Sequence, residues 1–160
     1  MSISKTEFWD SEYYINRPLT NEMVLIAEKE LNVKLPSLLI ELLKIQNGGY
    51  TKGFGFPMTQ PTSWADNHVP LSELNGIVIK PTAETIHNVL QTTYMTKEWG
   101  IPEKQILLSG DGHYWITLDY RKGTNPSVRW IDTEMDQDIH VTDNFEEFFN
   151  GLVSFETFEV

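Results

Sequence analysis

The stretch LLSGDGHYWITLDYR, residues Leu107–Arg121, decides the fold. An apolar Ile106-Leu107-Leu108 run meets Ser109-Gly110-Asp111-Gly112, a dense turn signal, and beyond it Tyr114, Ile116 and Leu118 alternate with Trp115, Thr117 and Asp119. Apolar runs on either side of a Gly-containing turn predict a hairpin, and the period-two alternation makes its second strand the better formed. A long aromatic strand of this kind is a natural centre for a sheet.

Working outward, Ser127–Asp132 alternates and reads as the next strand, reached through the turn Gly123-Thr124-Asn125-Pro126, and Ile139-His140-Val141 as a short one after it. Asp143 with Glu146 three residues on predicts a capping box. Phe145, Phe148, Phe149, Leu152 and Val153 then fall at i, i+3, i+4, i+7 and i+8, the stripe of a core-facing helix. Toward the N-terminus, Thr20 is the expected N-cap of a helix carrying Met23, Ile26, Ala27 and Leu31 and ending near Asn32. Pro36 is placed at the first position of a second helix, whose buried stripe is Leu38, Leu39, Leu42 and Leu43. Asn47-Gly48-Gly49 offers a left-handed C-terminal stop for it.

Between the helix pair and the hairpin the reading is coarser. Residues 50–70, rich in Gly, Pro and aromatics, suggest a loop with one short strand near Thr51–Phe56. Ile77-Val78-Ile79 suggests another strand, and Ile86, Val89 and Leu90 allow a helical turn or two before Gly100-Ile101-Pro102. Residues 1–18 carry Phe8, Trp9, Tyr13, Tyr14 and Ile15, too aromatic for a free tail, and are expected to lie on the domain as an arm. The whole is an α+β single domain over residues 1–160.

Composition excludes several function classes. With no cysteine there is no thiol nucleophile, no disulfide and no thiolate metal site, which fits a reducing, cytoplasmic setting. Neither a secretory signal nor a membrane-spanning run is present. The net charge is −11, and residues 131–160 hold nine acids without a Lys or Arg. Such a surface repels nucleic acid and anionic membrane and attracts a basic protein.

Chemistry-bearing motifs are weak. Asp132, Glu134, Asp136 and Asp138 stand at every second residue, but a calcium loop needs Gly at its sixth position and Glu at its twelfth, where Gln137 and Asp143 stand. On an extended strand the four acids would share one face, either a carboxylate ridge for a basic partner or a solvated edge. Asp111 and His113 could form an acid–base pair, yet no nucleophile motif accompanies them, and the four histidines lack ligand spacing. No phosphate-binding loop is present. No cofactor or metal is implied. Trp115 and Trp130, on strands, are expected in the core; Trp64, in a Pro-rich loop beside Asp66 and His68, is the candidate binding contact.

Several motifs in order carry a resemblance: Leu19-Thr20-Asn21-Glu22, Leu35-Pro36, Asn47-Gly48-Gly49, Lys97-Glu98-Trp99-Gly100-Ile101-Pro102, Leu107–Arg121, Pro126–Asp132 and Asn144-Phe145-Glu146-Glu147-Phe148-Phe149. Together they are similar to the SUKH superfamily over about residues 19–153. The resemblance implies a twisted, largely antiparallel sheet with an N-terminal helix pair and a C-terminal helix on it. It also implies a non-enzymatic, protein-binding role: many bacterial members are immunity proteins that neutralise toxins, often nucleases, and fungal relatives regulate cell-wall synthesis through partner contacts. On this reading the partner is a basic toxin domain, met by Trp64, Asp66 and His68 with Asp111, Asp132, Glu134, Asp136 and Asp138 as the charged component. A regulatory module for an endogenous partner, and a hydrolase or metal enzyme built on Asp111 and His113, are the alternatives.

Overall fold

A computed structural model of the protein describes residues 3–10, 16–82, 85 and 87–159. In chain order these form helices α1 (Asn21–Leu31) and α2 (Ser37–Ile45) and strands β1 (Gly49–Pro57) and β2 (His68–Leu74). Helix α3 (Thr92–Trp99) then leads to strands β3 (Gln105–Asp111), β4 (Tyr114–Asp119), β5 (Ser127–Asp132) and β6 (Gln137–Thr142). Helix α4 (Phe145–Gly151) and the short β7 (Val153–Ser154) complete the order. The expected α+β architecture with its helix pair and closing helix is present. The strands, however, fall into two antiparallel sheets rather than one, in the orders β2-β1-β7 and β3-β4-β5-β6.

The central hairpin is longer than its sequence suggests. Ser109, Gly110 and Asp111 continue β3 past a bulge between Leu107 and Ser109, and Asp111 pairs with Tyr114. Only Gly112 and His113 remain in the loop, with Gly112 at φ 61, as the first central residue of a type II′ hairpin requires. The alternation sorts two faces. Ile116, Leu118, Val128 and Trp130 join the main core with Leu39, Leu42, Leu43, Phe145 and Phe148. Leu107, Trp115 and Ile131 form a smaller cluster with Ile101 on the other face, against which Met95 of α3 lies. Both faces are therefore covered, and every β4 residue after Tyr114 is buried.

The helices obey local chemistry with small shifts. Thr20 caps α1 by accepting the Met23 N–H, and Asn32 closes it in the left-handed conformation. Val24 and Ala27 are its buried residues, whereas Ile26 is 41% exposed, so the apolar stripe is rotated from the expected one. Pro36 is the residue before α2 rather than its first, and the cap of α4 is Asn144, which accepts from the Glu147 N–H. The strand expected near Thr51–Phe56 is β1, longer at both ends, the loop expected over 50–70 narrows to residues 58–67 because β2 follows it, and residues 77–79 lie outside the strands. Phe8 stacks on Phe54 at 5.7 Å and Trp9 donates to the Leu42 carbonyl at 3.0 Å, seating the arm in the core. Tyr13, Tyr14, Ile15 and Ile86 lie outside the described residues.

Asn47-Gly48-Gly49 has a different task from the expected helix stop. Gln46, not a glycine, ends α2, and in an extended conformation. Asn47 is buried and bonds both sides of a second chain segment: its Nδ2 donates to the Arg17 and Ile77 carbonyls at 2.8 Å each, and its Oδ1 accepts the Ile77 N–H at 2.8 Å. The two segments touch through backbone. A Cβ on Gly76 would lie 2.2 Å from the Asn47 carbonyl oxygen, and one on Gly48 2.5 Å from the Gly76 nitrogen. One residue before Gly76, Asn75 donates from its backbone N–H and its side chain to Leu108 and Leu107 of β3, joining the two sheets.

Asn47→Ala leaves the buried N–H and carbonyl of Ile77 without this partner and is expected to lower stability by about 3 kcal/mol in urea titration. Gly76→Ala is expected to cost more than that, because only backbone can yield. A Gly76→Ala protein as stable as the parent would contradict the crossing.

Candidate functional site

The loop between β1 and β2 folds back onto the ends of β4, β5 and β6, and Ser63 is its anchor. The Ser63 N–H donates to Gln137 Oε1 at 2.8 Å and its hydroxyl to Asp132 Oδ2 at 2.5 Å, while the Trp130 indole N–H donates to the Ser63 hydroxyl at 3.2 Å. Thr62 shapes the turn, its Oγ1 accepting from the Trp64 N–H. Trp64 is thereby held at the surface, 47% exposed, with its ring 6.0 Å from Tyr114. Tyr114 in turn stacks on Trp130 at 5.8 Å and meets the edge of His113 at 5.3 Å. The result is an aromatic stair from the core to solvent.

Asp132 is the hub beneath it. It is 2% exposed and accepts four hydrogen bonds: Oδ2 takes Ser63, and Oδ1 takes His113 Nδ1 at 2.7 Å and the Glu134 and Met135 N–H groups at 3.1 Å each. Those last two bonds build the β5–β6 turn, in which Asp136 adopts φ 53. The four alternate acids therefore do not form a ridge on one strand. Asp132 ends β5, Glu134 and Asp136 are exposed in the turn, and Asp138 is on β6.

Of the other predicted site residues, Asp111 is exposed beside the β3–β4 turn and Asp66 is exposed two residues beyond Trp64. The fold thus brings Trp64, Asp111, Asp132, Glu134 and Asp136 to one end of the larger sheet. His68 and Asp138 stand apart. His68 stacks on Phe158 at 4.0 Å, a packing role that ties down the C-terminal turn. Asp138 faces the other side of the sheet, where Arg129 Nε at 2.5 Å and Arg121 Nη1 at 2.9 Å neutralise it. Arg121 also pairs with the buried Asp119, so these charges form a structural network. Sequence reasoning missed Ser63, Tyr114 and Gln137, whose partners lie at distant positions in the chain.

The site contains the residue types of a hydrolase triad in the wrong order. In a triad the imidazole lies between hydroxyl and carboxylate, so that it can take the hydroxyl proton. Here the carboxylate of Asp132 lies between Ser63 and His113, and His113 Nε2 faces Glu134 at 3.5 Å. The Ser63 hydroxyl donates to a carboxylate and accepts from an indole, which fixes a loop and leaves the imidazole out of contact with the hydroxyl. Among the described residues, no group of three or more His, Asp or Glu is placed to hold a metal ion.

The bond to Asp132 raises the His113 pKa above its ordinary value of 6.5 against a smaller opposing effect of burial, with the charges of Asp132, Glu134 and Asp111 adding to the rise. Burial pushes the Asp132 carboxyl up, but Ser63, His113 and the Met135 N–H more than reverse it, leaving it below 3.8. The contribution of His113 to stability is therefore complete below pH 6.5 and lost as pH rises through its folded pKa; that of Asp132 is present above pH 3.8 and lost as pH falls through its own. NMR titration should place His113 above 6.5 in the parent, and lower in Asp132→Asn. An unchanged His113 pKa in that variant would remove the pair as its cause.

An independent comparison agrees with this architecture. The family model described as SMI1 / KNR4 family (SUKH-1) matches residues 18–151, from the entry to α1 through α4. No curated protein matches the chain. Members of this family are generally immunity or regulatory domains without catalysis. With the match running through helices α1 to α4 and strands β1 to β6, the chain belongs to the SMI1/KNR4 (SUKH-1) family.

Proposed function

We propose that this protein is a cytoplasmic immunity protein, a single domain that neutralises a basic toxin domain by direct binding at the acidic–aromatic end of the larger sheet. The observation that carries the reading is Trp64: a large side chain left 47% exposed although its backbone is firmly anchored, on a loop tied to the sheet end where Asp111, Glu134 and Asp136 stand exposed. A rigid, half-exposed tryptophan is the kind of side chain that dominates binding energy, because little entropy is lost when it is covered. Asp111 and Asp136 are exposed and have no ion-pair partner among the described residues, and Glu134 has only His113. Their charges are available to a cationic surface.

A nuclease is the toxin class that fits best. Its active site is built to hold phosphate, and a cluster of carboxylates on a fixed turn presents comparable negative charge. Asp66 belongs to the same loop as Trp64 and extends the negative rim. Asp132 acts from beneath, by fixing Ser63 and the β5–β6 turn, rather than by touching the partner.

The test begins with tagged protein and the lysate and secreted material of its own source, at low and high salt. A basic, secreted protein recovered at low salt is the expected partner; recovery of a resident cytosolic protein instead would favour the regulatory reading. With that partner in hand, reversing Asp111, Glu134 and Asp136 to Lys together should slow association roughly tenfold or more at low salt and much less at high salt. Trp64→Ala should weaken binding by about 2 kcal/mol, mainly through faster dissociation. Unchanged kinetics in both variants would move the interface elsewhere.

A further inference from the structure

The far end of the central hairpin carries the opposite charge. Four of the chain's 12 basic residues, Lys97, Lys104, Arg121 and Lys122, line a single open groove of about 800 Å³ between α1, α3 and the outer ends of β3 and β4. Arg121 is held by Asp119 and Asp138. Lys97, Lys104 and Lys122 are exposed, and among the described residues none has a carboxylate at ion-pair distance, in a chain with 23 acids against 12 bases. Lys29 and Lys34 bracket the lining segment 30–33 and add to the same field.

The groove is too large for a single ion and falls in the range of sites that enclose a drug-sized ligand or a few residues of peptide. Its lining is mixed: Leu31, Val33 and Ile106 are apolar, with the polar Thr92 and Gln105 buried beside Ile106, and its three free ammonium groups come from three separate stretches of chain. The lining includes the C-terminal end of α1, where unsatisfied carbonyls carry partial negative charge, and the carboxylates of Glu30 and Glu103. Those features oppose a compact phosphate deep in the groove. They suit a ligand whose carboxylates are spread out to meet separate lysines and whose apolar side chains lie against the partly exposed Leu31 and Val33.

We infer that this groove is a second docking site, taking an acidic, leucine-bearing segment of a partner polypeptide. β4 separates it from the Trp64 end by roughly 20 Å, so both ends can be occupied at once. The proposal stands apart from the toxin-binding reading, since it uses none of the same residues.

The probe is a fluorescein-labelled peptide of repeated Glu-Glu-Leu, read by fluorescence anisotropy against the full chain at low salt. Saturable binding is expected, and Lys97→Glu, Lys104→Glu and Lys122→Glu together should weaken it about tenfold or more. The same charge change placed on Lys44, Lys52 and Lys80, exposed elsewhere, should leave it within about twofold. A Lys→Gln triple at the groove, with an unchanged circular dichroism spectrum, separates lost binding from lost folding. No saturable binding, or equal weakening by both sets of Glu substitutions, would overturn the proposal. So would inorganic triphosphate displacing the peptide in the parent at lower concentration than an unlabelled copy of the peptide does, which would make the groove a compact-anion site.

Discussion

The backbone crossing of Asn47–Gly48 with Gly76–Ile77 is the constraint on which the rest of the structure depends. Two chain segments approach until no side chain fits between them, and the Asn47 amide bonds the Ile77 peptide on both its N–H and its carbonyl. That closeness fixes the exit of α2 and the start of β1 against the end of β2. One residue away, Asn75 carries the constraint to β3 through two hydrogen bonds. A buried amide with all its bonds made is stabilising chiefly because the alternative, unpaired backbone in an apolar interior, is costly. The Asn47-Gly48-Gly49 stretch thus has a structural role other than helix termination.

From the crossing, the larger sheet projects with two chemically distinct ends. At the β3–β4 turn, Asp132 draws Ser63, His113 and the next turn together, so that a loop from the other sheet presents a half-exposed Trp64 against Tyr114. At the other end of the same strands the free lysines collect. On the sheet's outer face, charge is internally compensated by Asp119, Arg121, Arg129 and Asp138. Net charge alone describes such a molecule poorly, because the two ends present different unpaired charges and so attract different partners.

The elements legible in the sequence were those set by local rules. The Thr20 cap, the leucine stripe of α2, the alternation in β4 and β5 and the phenylalanine stripe of α4 each depend on neighbours a few residues apart, and each is present. Strand β2 was hidden because His68-Val69-Pro70-Leu71 carries a proline inside a strand and lacks clean alternation; three consecutive residues there are buried. The glycines of β3 read as a turn because a bulge and a II′ loop use the same residue types. At the candidate site, Trp64 and the acids could be nominated by type. Ser63 bonds Asp132, 69 residues on, and no local pattern announces that pair. The same blindness placed Asp138 with its neighbours in sequence, when the pleat and two arginines set it on the opposite face.

The central claim is that partner binding occurs at the Trp64 end. Amide hydrogen exchange of the full chain, free and bound to the recovered basic partner, tests this most directly. The account predicts protection gained over residues 62–67, 111–114 and 133–137, with the groove segments 96–97, 103–104 and 121–123 unchanged. Protection confined to those groove segments, or to the outer face around Arg129 and Asp138, with none near Trp64, would contradict it.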